Sequence, residues 1–461
     1  MTALWKFTAS ELAPLIAARQ ISVKEAVASV LERVEAVNPA LNSIVQRMDE
    51  QALTAAKAAD IGLARGEAAG PLTGIAVTIK VNIDQTGFAT TNGLRTQAGL
   101  VAEVDSPVVA NLRKAGAIVV GRTNTPAFSL RWFTRNSLHG ATTNPRDPTL
   151  TPGGSSGGAG AAVASGMGAI GHGTDIAGSI RYPAYACGVH GLRPSLGRVP
   201  GFNPTAGDRL IGGQLMAVSG PLARSIPDLR LALAAMAACD MRDPWWQPMP
   251  LRGADVMRKV AYVEAPDGMQ VAQPVRDALR AAAAKLSDSG YQVEEVPTPP
   301  LREARDMQLR LWMAEFRQDG TAALRAENDP DANFVYAQMT RHCPEIDLPA
   351  MMATLKARAR LTRLWRTFLA EWPLVLCPVS GELPFFNHQD VASPAAFDAV
   401  LEAQLTMIAI PFMGLPGLTV CTGSVGSKPV GVQLVADQFR EDLLLAAGET
   451  LAPEPVGLAM A

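Results

Sequence analysis

Two short stretches hold the residues with the most chemistry to offer. "PGGSSGGAGAAVASG" (Pro152 to Gly166) contains Ser155 and Ser156, and "GTDIAGSIR" downstream places Ser179 directly after Ala177 and Gly178. Small residues before a serine let successive backbone N–H groups point into one cavity, and such a nest holds a developing oxyanion. A serine beside a nest still needs a base. The five histidines are His139, His172, His190, His342 and His388, and none sits in an obvious acid–base setting or in an H-E-x-x-H motif. Lys80 is then the candidate. It closes the apolar stretch "GIAVTIK", where desolvation favours the uncharged amine that a base must be.

Plainer readings compete. A lone lysine is more often solvent-facing than catalytic, and only its place at the end of a buried-looking strand favours Lys80. Composition alone also allows a Gly/Ser tether, although "AGAAVASGMGAIG" is apolar and lacks the Glu, Lys, Gln and Pro of a solvated linker. "GGSSG" fits the nucleophile elbow G-x-S-x-G with Ser155 at its centre. An elbow requires a buried strand before it, whereas "TNPRDPTLTP" carries three prolines.

The elements that must position these residues follow from periodicity. "TASE" and "SVKE" read as capping boxes, each opening a helix, so a helical pair ending near "VNPALN" is expected. "GIAVTIK", "SPVVANLRKAGA" and "AIVVGRTN" read as strand, helix and strand, a βαβ unit. Further strands are expected at "RKVAYVE", "YQVEEV", "PLVLCPV", "GLTVCTG" and "PVGVQLV", with helices at "VRDALRAAAAKLSDSG", "LREARDMQLRLWMAEF" and "LPAMMATLKARARLTRLWRTFLAEW". No fixed-period repeat and no charged linker interrupts them. The reading is one large α/β domain around a mixed sheet.

Composition narrows the function classes. The 461 residues are 48% apolar and 18% charged, enough for a large core, and the net charge of −2 gives no electrostatic reason to bind nucleic acid or an anionic membrane. The longest apolar run, Leu405 to Val420, contains Pro411 and Pro416 and is too short to span a bilayer. "MTALWKFTASEL" has no basic region followed by an apolar one, so no secretory signal is expected. Cys187, Cys239, Cys343, Cys377 and Cys421 are scattered and form no C-x-x-C pair. This argues against structural zinc and a disulfide framework and for the reducing cytoplasm. No metal and no cofactor are expected.

Taken together, the stretches resemble the amidase signature family. "PGGSSGGAGAAVASG…IGHGTDIAGSIRYPAYACGVHGLRPSLGRVP" is similar to its long Gly/Ser motif, and "LTGIAVTIKVNID" to its lysine segment. "DSPVVANLRKAGAIVVGRTNTPAF" and "GLPGLTV…PVGVQLVA" fit as well, so the resemblance is dense from Leu72 to Pro200 and returns from Pro373 to Leu445. It implies a single domain, residues 1–461, with a mixed central sheet covered by helices on both faces. Within it, residues 1–70 are N-terminal helices, 71–240 the catalytic motif region, 241–372 a variable helical substrate-pocket region, and 373–461 C-terminal strands and helix.

The resemblance also implies a Ser–cis-Ser–Lys triad. Ser179 resembles the nucleophile, Ser155 the bridging serine with a cis bond to Gly154, and Lys80 the base. The N–H groups of Ile176, Ala177, Gly178 and Ser179 then form the oxyanion hole. Ser129, which matches a position whose backbone lies near the substrate carbonyl, and Ser156 are the candidate substrate-binding residues, and Ser156 also reads as a structural hydrogen-bonder with a relay role worth testing. Asp175 and Arg181 read as locking the loop. Trp312, Phe316, Trp365 and Phe368 read first as core and second as pocket lining. Two positions depart from the family: Val81 stands where an acid is usual, and Ala177–Gly178 replaces a Gly–Gly pair.

The activity implied is hydrolysis of a carboxylic amide, with esters and carbamates within the same chemistry, by a monomer or homodimer acting on a small molecule. The alternative is the A subunit of a glutamyl-tRNA amidotransferase complex. It is disfavoured because "FSLRWFTRNS" stands where such chains carry an "MGSS"-type stretch. A binding protein on a dead scaffold is disfavoured because Lys80, Ser155 and Ser179 are all intact.

Overall fold

Thr8 and Ser22 each start a helix, as their capping boxes require. In the computed structural model, which describes residues 3–460, they precede Ala9–Ala17 and Val23–Leu41. The Thr8 N–H donates to the Glu11 carboxylate at 2.7 Å and the Ser22 N–H to Glu25 at 2.9 Å. These bonds satisfy donors that a helix start leaves free.

The strand Ala76–Lys80 is buried at every residue, the mark of a strand covered on both sheet faces. It pairs in parallel with Ile118–Thr123 on one side and Ile170–Asp175 on the other. The helix Pro107–Lys114 supplies the crossover between the first pair, so the βαβ unit forms. Eleven strands make one sheet. From its edge the order is Ile44–Arg47, Ile118–Thr123, Ala76–Lys80, Ile170–Asp175, Val218–Ala223 and His190–Arg193. It continues through Gly417–Val425, Lys428–Ala436, Leu374–Pro378, Lys259–Tyr262 and Gln292–Glu295. Parallel and antiparallel pairs alternate in blocks, and helices flank the sheet to close a single large domain.

The Gly/Ser stretch is no tether. Gly157–Ala164 is a helix with every residue buried, packed on the helix Arg181–Cys187. A Cβ on Gly158 would sit 2.5 Å from the Asn124 nitrogen, and one on Gly154 would sit 2.5 Å from the Phe133 nitrogen. Glycine is required there because other backbones already fill the space. No strand runs directly into Ser155, the nearest upstream being Gly140–Ala141, so the elbow reading fails too.

The middle of the chain forms helices, among them Arg302–Glu315, Pro330–His342 and Leu348–Glu371. Buried Arg131 ties them to the catalytic half: its guanidinium grips both Asp390 oxygens at 2.8 Å and one Asp331 oxygen at 2.5 Å. The helix Leu405–Phe412 is buried at every position. Among the described residues no single helix is long and apolar enough to cross a membrane; only the bent pair Pro394–Ala403 and Leu405–Phe412 reaches that length jointly.

Candidate active site

Parallel pairing brings the ends of two strands together. Lys80 ends one and Thr174 lies at the end of its neighbour. Lys80 Nζ sits 2.6 Å from Ser155 Oγ and 2.9 Å from Thr174 Oγ1. Asn82 Nδ2 donates to the same Thr174 oxygen at 3.0 Å. Relative exposure is 0% at Lys80, 1% at Ser155 and 6% at Ser179, so Ser179 is the least buried of the three. The Gly154–Ser155 peptide bond is cis. The N–H of Ser156 donates to the Ser179 carbonyl at 3.1 Å, which places the two serine loops side by side.

Burial pushes the Lys80 amine well below the ordinary lysine value, with the Asp175 charge opposing but not cancelling the effect. Burial therefore favours the uncharged form of an amine that lies within hydrogen-bond reach of a hydroxyl. The nearest histidine, His172, offers no rival base. Its Nδ1 accepts the Lys80 backbone N–H at 3.4 Å, and its Nε2 lies 3.0 Å from Ser219 Oγ. Burial, helped by the Arg122 charge, pushes His172 down to about 3.

The loop from Ile176 to Ile180 is clamped from below. The Asp175 carboxylate accepts the N–H of Gly178 at 2.8 Å and of Ile180 at 3.2 Å, and it takes two bonds from Arg181 at 3.0 Å. Arg193 Nη1 donates to the Asp175 carbonyl at 2.6 Å. Burial alone would raise the Asp175 carboxyl, but Arg181 and Arg193 beside it override this and hold it at about 2. From above, Trp132 Nε1 donates to the Ala177 carbonyl at 2.8 Å and Gln308 Nε2 to the Ile176 carbonyl at 3.0 Å.

With those groups occupied, the N–H groups of Ile176, Ala177 and Ser179 donate to no other group among the described residues. Gly178 differs from expectation: its N–H is committed to Asp175, so the loop presents three free donors rather than four. Its glycine is needed for another reason, a φ of +92° with a Cβ position 2.5 Å from Met407 Cβ.

Ser156 is fully buried and exchanges bonds with the Thr174 backbone at 3.3 and 3.4 Å, a structural arrangement. Ser129 Oγ donates to Asn92 Oδ1 at 2.7 Å and lies 3.4 Å from Asn82 Nδ2, which links it to the Lys80 surroundings. Trp365 is core, with Phe368 packed beside it at 6.1 Å. Trp312 and Phe316 instead pack on the apolar cluster that contains Ala177, Trp132 and Phe133. Phe316 meets Phe128 at 5.8 Å and Tyr336 at 5.1 Å. On the lysine side, Thr174 lines a cavity of about 290 Å³ with Ile83, Asn203, Ser219 and Trp245.

The mixed eleven-stranded sheet flanked by helices matches the fold of amidase signature structures. The family model for amidases matches residues 25–445, and the chain belongs to that family. It is an amide C–N hydrolase of the amidase signature class. An indoleacetamide hydrolase of Bradyrhizobium diazoefficiens is 42% identical over 97% of this chain and 86% of its own. The A subunit of the glutamyl-tRNA(Gln) amidotransferase from Moorella thermoacetica is 32% identical over 96% of each. Among solved structures, a bacterial aryl acylamidase superposes with a TM-score of 0.85 at 26% identity, covering 97% of each chain. Fatty acid amide hydrolase does so with 0.86 at 25% identity, covering 97% of this chain and 85% of its own.

Proposed function

We infer that this amidase works through an acyl-enzyme on Ser179, with Ser155 as proton relay and Lys80 as base. The observation that carries the reading is the 2.6 Å contact between buried Lys80 Nζ and Ser155 Oγ. Neutral Lys80 takes the Ser155 hydroxyl proton while Ser155 takes that of Ser179, and Ser179 Oγ attacks the amide carbonyl. The free N–H groups of Ile176, Ala177 and Ser179 receive the oxyanion. The relay then returns the proton to the leaving nitrogen as the C–N bond breaks, which makes a poor amine leaving group feasible. Water enters by the same route in reverse and releases the acid. The same chemistry extends to esters and carbamates.

The acyl group is aromatic in this reading. Ile176 and Ala177 adjoin an apolar cluster with Trp132, Phe133, Trp312 and Phe316, and the relative at 42% identity is an indoleacetamide hydrolase. A primary arylacetamide, with indoleacetamide first among candidates, is the proposed substrate. The enzyme acts alone on this small molecule, without nucleic acid or membrane. Its five free cysteines suit a reducing cytoplasm. Incubating the purified chain with indoleacetamide and measuring acid and ammonia by chromatography tests this. Stoichiometric release supports the reading. Release only with added partner proteins and charged tRNA would favour the amidotransferase alternative.

A further inference from the structure

The Lys80 amine has one hydroxyl partner besides Ser155. Thr174 Oγ1 lies 2.9 Å from Nζ on the neighbouring strand, and that same oxygen receives Asn82 Nδ2 at 3.0 Å. Asn82 has a second hydroxyl neighbour, Ser129. Ser129 Oγ donates to Asn92 Oδ1 at 2.7 Å, lies 3.0 Å from Thr125 Oγ1, and accepts from Asn82 Nδ2 at 3.4 Å. The Asn82 amide nitrogen therefore faces Ser129 and Thr174 together. Thr174 Oγ1 is an acceptor on that side and has a second lone pair for Lys80.

A neutral amine carries two hydrogens and one lone pair. Left to rotate, it could present either to Ser155. We propose that Thr174, held by Asn82, is a positioning residue for Lys80: it accepts one amine hydrogen and leaves the lone pair aimed at Ser155 Oγ. The proposal rests on Lys80 acting as the base. The threonine hydroxyl has no task in the sheet that would explain it otherwise. The Thr174 backbone already bonds with Ser156 Oγ at 3.3 and 3.4 Å and pairs with Ser219 in the ladder.

The other ionisable groups around the amine leave a clean readout. His172, on the Thr174 strand, is held neutral near 3, and Asp175, which follows Thr174, is held ionised at about 2. Arg122, on the strand at Ile118–Thr123, is pushed down to about 10 by burial and keeps its charge below that. Arg181 and Arg193 face Asp175 rather than Lys80. An activity limb on the way up from acid pH then reports Lys80. An oxygen that accepts an N–H favours the ammonium, so its removal moves that limb to lower pH.

The test compares Thr174→Val, Thr174→Ser and Asn82→Ala with the parent enzyme, measuring kcat and KM against pH. Thr174→Val keeps the shape and loses the oxygen. The expected result is a fall in kcat of about tenfold to a hundredfold, the scale of a misaligned catalytic group, with KM little changed. Its limb moves to lower pH, and Thr174→Ser restores both rate and limb. Asn82→Ala leaves Thr174 in place and shifts rate and limb the same way by less, which serves should Thr174→Val not fold. Parent-like kcat and limb in both Thr174→Val and Asn82→Ala overturn the proposal, as does a Thr174→Ser enzyme as slow as Thr174→Val. Lys80→Met separates the two levels. If it is inactive while Thr174→Val matches the parent, positioning alone fails; if it is active, the base assignment fails and the positioning with it.

Discussion

Arg181 holds Asp175 with two parallel hydrogen bonds at 3.0 Å, and neither side chain is exposed. The same carboxylate accepts the Gly178 and Ile180 N–H groups, so one ion pair fixes the loop on which Ser179 stands. Removing one partner leaves the other charged and buried. Arg181→Met is expected to lose about 3–5 kcal/mol of stability, the usual cost of breaking a buried pair. Chemical denaturation checks this. A loss below about 1 kcal/mol, the scale of an exposed pair, would contradict the clamp.

Lys80 makes the fold less stable near neutrality than a neutral side chain would. Its folded-state value is lowered, so between that value and the ordinary lysine value near 10.4 the unfolded chain binds one more proton. Stability contributed at this site therefore rises with pH through that window. Lys80→Met should raise the melting temperature at pH 7, with the gain shrinking as pH approaches about 10.4. Melting curves across pH check the sign, and a variant less stable than the parent at pH 7 would contradict it.

Trp312 and Phe316 flank the apolar cluster around Ala177. Truncating either to Ala should reorder the rates for aryl, long-chain and short-chain acyl amides. Comparing kcat/KM across such a panel decides the matter. A uniform fall accompanied by a large drop in melting temperature would make both residues plain core.

Local pattern makes part of this molecule legible. "GIAVTIK" is rich in β-branched residues and "TASE" carries its own cap, so each element follows from its own residues. Lys80 at the end of one and the small residues before Ser179 suggest a base and a nucleophile, while the role of Ser155 between them follows from the family resemblance. Other strands of the same sheet are not legible. "IGHGTD" at Ile170–Asp175 and "HGLR" at His190–Arg193 contain glycine and histidine at positions where propensity argues against a strand. Their burial comes from neighbours far away in the chain. Thr174 gives no signal for that reason, because only parallel pairing sets it beside Lys80. The family pattern implies a free Gly178 N–H, and its capture by Asp175 depends on a local turn that spacing does not reveal. Arg131 gives no sign of its partners Asp331 and Asp390, which lie hundreds of residues further along.

The central claim is that Ser179 is the acylated residue and that Lys80 activates it. An aryl fluorophosphonate followed by peptide mass spectrometry addresses both halves at once. The account predicts one adduct, on Ser179, absent from Ser179→Ala and formed at least about a hundredfold more slowly in folded Lys80→Met, the low end for losing a general base. An adduct on Ser155 or Ser156, or a Lys80→Met enzyme labelled at the parent rate, would contradict it.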